Sequence, residues 1–120
     1  MIANRMRIII LGAGGHAQVI ADAVQRAREA GAAWELVGFL DDNPALAGQV
    51  RLGVPILGSI STLAQHAHDG CVIGIGDNRL RARIFMQLRA QGEQVATVIH
   101  PRAVIAPDVT VGAGVVIFAG

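Results

Sequence analysis

Arg7-Ile8-Ile9-Ile10-Leu11 is an unbroken, largely β-branched apolar run, the pattern of a strand covered on both faces. Gly12-Ala13-Gly14-Gly15-His16-Ala17 follows directly, and Val19, Ile20, Ala23, Val24 and Ala27 then recur at helical spacing until Gly31 supplies a stop. A second apolar run, Leu36 to Leu40, ends in Asp41-Asp42-Asn43-Pro44, residues that favour a turn. Strand, glycine turn, helix and strand make a β-α-β unit. Gly53-Val54-Pro55-Ile56-Leu57-Gly58 reads as a brief strand or extended link, with Pro55 confining it to a sheet edge or to no ladder. Ser59 or Ser61 can cap a short helix through His68, closed by Gly70. Cys71 to Ile75 is the next core strand. It ends in Gly76-Asp77-Asn78, where Asp77 or Asn78 is a natural cap for a helix presenting Leu80, Ile84 and Leu88. Gly92 ends that helix, and Val95 to Ile99 reads as a further strand. Strands alternating with helices predict a parallel, right-handed α/β sheet.

After His100-Pro101 the period changes. Ile105, Val111 and Ile117 stand six residues apart, with Val109 and Val115 four residues after the first two. This hexad belongs to neither helix nor ordinary strand and is the signature of a parallel β-helix. Residues 1–100 are thus expected to form an α/β domain and 101–120 the first partial coil of a β-helix. A solenoid coil is stabilised mainly by stacking on its neighbours, so the expectation is the front portion of a longer protein.

Composition narrows the chemistry. The 120 residues are 52% hydrophobic and 16% charged, which excludes disorder. A net charge of +1 leaves no field of one sign to recruit nucleic acid or an anionic membrane, and no apolar stretch approaches a bilayer span. All ten basic residues are Arg, so there is no P-loop or Schiff-base lysine, and the lack of Tyr removes the Tyr and Lys acid/base pair of short-chain dehydrogenases. Cys71 is the only cysteine, which rules out an internal disulfide and a multi-Cys zinc site and fits a reducing, cytoplasmic setting. It opens a buried strand with no cationic neighbour, so it reads as a core residue rather than a nucleophile.

Three strand-end loops carry the candidate chemistry. Gly12, Gly14 and Ala17 fit G-x-G-x-x-G/A between a strand and a helix, where glycines admit a diphosphate and the first-turn N–H groups favour its charge. Gly15 and His16 lie in the same loop, and His16 could donate to a phosphate or contact a sugar. Asp41 and Asp42 end the second strand, where a carboxylate can accept hydrogen bonds from a ribose or a base; a plain turn explains them equally well. Gly76, Asp77, Asn78 and Arg81 form the third loop. Arg79, Arg81 and Arg83 crowd a helix start against the macrodipole, which either an anion or simple solvation can explain. His66 and His68, two apart in the expected helix, point different ways and read as surface residues. No set of residues suggests a metal site.

Taken in order, Gly-Ala-Gly-Gly-His, Phe39-Leu40-Asp41-Asp42-Asn43, Gly53-Val54-Pro55-Ile56-Leu57-Gly58, Ile73-Gly74-Ile75-Gly76-Asp77-Asn78 with Arg81, and Ile99-His100-Pro101 before the hexads resemble the PglD/NeuD-type sugar acetyltransferases. The resemblance implies an abbreviated Rossmann-like domain that holds a UDP- or GDP-linked amino sugar. It also implies a left-handed β-helix that trimerises and binds acetyl-CoA between subunits. The expected reaction is acetyl transfer to a sugar amine, or to a sialic acid hydroxyl, in bacterial glycan biosynthesis. By resemblance Gly12, Gly14, Gly15 and His16 face the diphosphate and sugar, Asp41 and Asp42 the nucleoside, and Gly76, Asp77, Asn78 and Arg81 the rim of the pocket. The family's catalytic histidine lies within the β-helix and has no counterpart here; His100 precedes the hexads and does not take that role. The 120-residue chain alone is accordingly expected to bind and orient without turning over. A stand-alone NAD(H)-binding or sensing module is the alternative, because the glycine motif followed by an acidic residue also fits NAD.

Overall fold

The computed structural model describes residues 6–95 and, as backbone, 98–99 and 116–117. His100, Pro101, Ile105, Val109, Val111 and Val115 lie outside the described residues. The chain runs β1 (Met6–Leu11), α1 (Gly15–Glu29), β2 (Trp34–Leu40), a 3-10 turn (Pro44–Leu46), β3 (Val50–Arg51), β4 (Val54–Gly58), a second 3-10 turn (Ile60–Gln65), β5 (Gly70–Ile73) and α2 (Asn78–Ala90). Two short strands follow, β6 (Val98–Ile99) and β7 (Val116–Ile117).

The five-stranded sheet has the order β3-β4-β2-β1-β5. β1 pairs in parallel with both β2 and β5, and β2 pairs in parallel with β4. The unbroken run Ile8–Leu11 lies between β2 and β5, one strand in from the sheet edge, and is fully buried. Two separate cores flank it, because successive side chains of a strand point to opposite faces. Ile8, Ile10, Phe39 and Val72 pack under Ala17, Ile20 and Val24 of α1. Ile9, Leu11, Leu40, Cys71 and Ile73 pack under Leu63 of the second 3-10 turn and Ile84 and Leu88 of α2. The expected Rossmann-like three-layer architecture is therefore present.

The sheet is mixed rather than purely parallel, which corrects the expectation. β3 pairs antiparallel with β4, Val50 opposite Pro55 and Arg51 opposite Val54. The two residues between them, Leu52 and Gly53, both have positive φ, 53° and 76°, the feature that lets a two-residue link match the twist of a hairpin. A leucine there gives no sequence signal for such a turn. Its strained backbone is braced by Gln25 of α1, whose side-chain amide donates to the Leu52 carbonyl at 2.9 Å. Pro55 consequently sits one strand in from the edge, opposite Val50, while the N–H that donates toward the outer strand is that of Ile56, to the Gln49 carbonyl at 2.8 Å.

Other differences are local. The helix expected through His68 is a 3-10 turn ending at Gln65, and Ser59 makes no side-chain cap bond; the Ile60 N–H is taken instead by Asp42 Oδ1 at 2.9 Å. β5 ends at Ile73, and the Gly74 N–H beyond it donates to the Leu11 carbonyl at 2.7 Å. Val95 makes a single parallel bridge to Cys71. Val98 and Ile99 do not extend the sheet: they pair in parallel with Val116 and Ile117, 18 residues further on.

Candidate functional site

β1 is flanked by β2 on one side and β5 on the other, and the helices that follow β1 and β5 cover opposite faces. Chain connections therefore diverge between β1 and β5, and the crevice beyond their carboxyl ends is the place where open α/β sheets take ligands. Residues 12–16 and 74–78 border it. The loop after β2, Asp41 to Pro44, is its neighbour along the same edge of the sheet.

The glycines here fall into two kinds. A Cβ on Gly12, at φ 104°, would stand 2.8 Å from the Gly74 carbonyl oxygen, and a Cβ on Gly74 would stand 2.9 Å from Ala17. Both are glycine because the two loops and the start of α1 are packed backbone to backbone. Gly14, Gly15 and Gly76 differ. None has positive φ, and a Cβ on any of them would meet nothing within 4 Å. The fold does not require glycine at these three positions, and all three are exposed at the crevice.

Gly14 is the N-cap of α1 and offers no side chain to its first turn. The N–H groups there have no intrahelical acceptor and project from the helix end with the positive pole of the dipole. His16 is exposed beside them. Across the crevice, α2 is capped by its own side chain: Asp77 Oδ1 accepts from the Leu80 N–H at 2.9 Å. Asp77 is thus the capping residue of the two candidates, and Asn78 begins the helix exposed. Arg79 and Arg83 are exposed on the first two turns and Arg81 is half-buried.

Asp41 is committed to the protein. Its Oδ2 accepts from the buried Ala13 N–H at 2.9 Å and its Oδ1 from the Asn43 N–H at 2.9 Å. With the Gly12 N–H donating to the Leu40 carbonyl at 2.6 Å, the glycine loop is fastened to the end of β2 at two successive residues. Replacing Asp41 with Ala leaves the buried Ala13 N–H without an acceptor, and is expected to destabilise the chain by about 1–3 kcal/mol in denaturant unfolding. Asp42 is tied through Oδ1 to the second 3-10 turn and rims a groove of about 520 Å³ between that turn and α2, with Leu63, Ile84, Gln87 and Gln91 among its lining. The two aspartates therefore face different surroundings, and only Asp41 touches the glycine loop. Among the described residues no group of three or more His, Cys, Asp or Glu could hold a metal ion.

Sequence reasoning missed Gly74, although an isolated glycine in an otherwise apolar strand signals close backbone approach. It placed Cys71 correctly in the core, where burial pushes its thiol up to about 12. Ellman's reagent is expected to leave Cys71 unmodified at neutral pH until denaturant is added; rapid labelling of the folded chain would contradict this.

A family model described as the PglD N-terminal domain matches residues 7–88. The chain belongs to this family. The matched span runs from β1 through nearly all of α2 and includes all three site loops. Among solved structures, the acetyltransferase domain of PglB from Neisseria gonorrhoeae FA1090, in complex with acetyl coenzyme A, is 25% identical over 96% of this chain and 59% of that one, with a TM-score of 0.78. PerB from Caulobacter crescentus, in complex with CoA and GDP-perosamine, is 32% identical over 94% of this chain and 51% of that one, with a TM-score of 0.76. The chain thus spans about half to three-fifths of the length of these relatives. RSP, a Rex-family repressor, shares the fold at 21% identity over 97% of this chain and 53% of that one, with a TM-score of 0.60. No curated protein sequence matches significantly.

Proposed function

We propose that this PglD N-terminal domain is the nucleotide-sugar-binding part of an acetyl-CoA-dependent sugar N-acetyltransferase of bacterial glycan biosynthesis. The observation that carries the proposal is the set Gly14, Gly15 and Gly76: three glycines at the switch-point crevice that neither backbone conformation nor packing requires. A ligand that must approach the main chain closely accounts for them, and the uncapped first turn of α1 selects an anionic one. PerB, similar along 94% of this chain, holds GDP-perosamine and CoA, which supports a UDP- or GDP-linked amino sugar over a dinucleotide.

In this arrangement the diphosphate lies against the N–H groups of Gly15 and His16, with His16 able to donate a further hydrogen bond. Asn78 and Arg81 border the opposite rim. Asp41 acts by holding the loop, and Asp42, one of whose carboxylate oxygens is bound to Ile60, stands where a nucleoside could reach it. Transfer requires the sugar amine to lose a proton as it attacks the thioester carbon, so a base and an acyl-donor site must be present. Neither is assigned to residues 6–95. The domain's contribution is to fix the amine relative to the donor, and such positioning can lower a barrier by about 7–11 kcal/mol in favourable cases. The parallel pairing of β6 and β7 at an offset of 18 residues supports reading 101–120 as the start of a hexad β-helix. A trimer built through that β-helix, with acetyl-CoA bound between subunits, belongs to the same proposal. No helix among the described residues is long and apolar enough to cross a membrane, and the single buried thiol suits a cytoplasmic setting.

Thermal shift with GDP-sugars, UDP-sugars, NAD(H) and acetyl-CoA tests the proposal, since a ligand that binds only the folded state raises Tm. Stabilisation by a nucleotide-sugar, and not by NAD(H), is the expected result. Stabilisation by NAD(H) alone would replace it with the dinucleotide-binding reading that the RSP fold allows.

A further inference from the structure

Next to the start of β5, at the end of that strand away from the glycine loops, His68 and Glu93 meet. His68 Nε2 lies 2.7 Å from Glu93 Oε1, and the side chains are only 9% and 16% exposed. This corrects the expectation of a surface histidine: the chain does not continue helically past Gln65, so residues 66–69 fold under the loop that leaves α2. The other ring nitrogen, Nδ1, lies 2.6 Å from the His66 carbonyl oxygen. A carbonyl only accepts, so Nδ1 carries a proton, and the carboxylate at Nε2 calls for a second. Both ring positions face acceptors, and the geometry is satisfied by the imidazolium.

We propose that His68 and Glu93 form a proton-operated clasp that fastens the segment leaving α2, and hence the exit of the chain at Val95, to the start of β5. Besides this clasp, that segment is tied to β5 by the Cys71 N–H donating to the Gln94 carbonyl at 2.9 Å, by the Cys71 Sγ–H donating to the same carbonyl at 3.7 Å and by the Val95 bridge. Loss of the second proton turns a ring lone pair toward the carboxylate, and the clasp opens. This inference does not depend on the ligand reading.

The surroundings favour the closed form. Desolvation, the largest single influence, lowers the affinity of His68 for its second proton. The hydrogen bonds that His68 donates to Glu93 and to the His66 carbonyl, with the charges of Glu93 and Asp69, together outweigh it, so His68 titrates above the ordinary 6.5. Asp69 stays ionised, held below the usual carboxylate range chiefly by its hydrogen bond from Arg7 of β1. Cys71 faces the pair as a neutral thiol, the His66 ring is turned to Thr62, and Arg89 of α2 lines the hollow of about 230 Å³ beside Glu93. Because the folded value is raised, the clasp contributes fully below the unfolded value and is lost as pH rises through the folded one.

Amide hydrogen exchange of the whole chain, corrected for the intrinsic pH dependence and read at the Cys71 and Glu93 amides, tests this alongside NMR titration of the His68 ring. Protection at Cys71 is expected to fall about tenfold or more as pH rises through the His68 titration measured by NMR, above the ordinary 6.5. Glu93→Gln should lower the titration midpoint of His68 and abolish the pH-dependent part of that fall. His68→Gln, which keeps a donor but cannot titrate, should abolish it as well. Protection that is flat with pH in the unaltered chain, or a fall that persists in either variant, would overturn the proposal.

Discussion

Gly12→Ala is expected to destabilise the fold by about 2–5 kcal/mol, read as a lower midpoint in urea at unchanged slope. Two costs add. The backbone at φ 104° lies where side-chain-bearing residues are strained, and the new Cβ would stand 2.8 Å from the Gly74 carbonyl oxygen, main chain that cannot swing aside as a side chain would. Domains of this size are stable by about 5–15 kcal/mol in total, so the substitution takes a large share of the margin. Retention of full stability would mean that the loops after β1 and β5 are not packed as described.

Gly14→Val should do the reverse. No atom lies within 4 Å of the added Cβ, and the residue's φ of −81° suits any side chain. Folding stability is expected to change by less than about 1 kcal/mol, the cost of a poorer N-cap. Nucleotide-sugar binding is expected to weaken about a hundredfold, roughly 2.7 kcal/mol, because the side chain occupies the approach to the first-turn N–H groups. Isothermal titration with a nucleotide-sugar, beside urea unfolding of the same variant, separates the two effects. Gly14→Ser sharpens the contrast: its hydroxyl can cap the helix, raising stability by a few tenths of a kcal/mol while competing for the N–H groups a phosphate would use. Unchanged affinity in both variants would move the ligand away from α1.

The features legible in the sequence are those written in adjacent residues. Ile8–Leu11 announces a strand buried on both faces, Gly31 at φ 104° a helix stop, and Asp77 a cap three residues before the amide it accepts from. What escaped notice depends on residues far apart. Pro55 argues against an inner strand until Leu52 and Gly53 fold a two-residue strand back over it. Asp41 looks like a turn former or a ribose acceptor, and its tie to Ala13, 28 residues earlier, appears only once β1 and β2 are aligned. His68 and Glu93 are 25 residues apart and give no local hint of each other. Glycine spacing pointed to the crevice between β1 and β5, but it could not separate Gly12, demanded by packing, from Gly14 and Gly15, which packing leaves open.

The fastening of the glycine loop by Asp41 bears on how quickly a ligand is captured. Because the strap is made entirely of the chain's own hydrogen bonds, ordering of the loop is not left to the encounter, and association should proceed in a single concentration-dependent kinetic phase. Cutting the strap would shift that ordering onto the encounter itself and slow capture, even though Asp41 need never touch the molecule being caught.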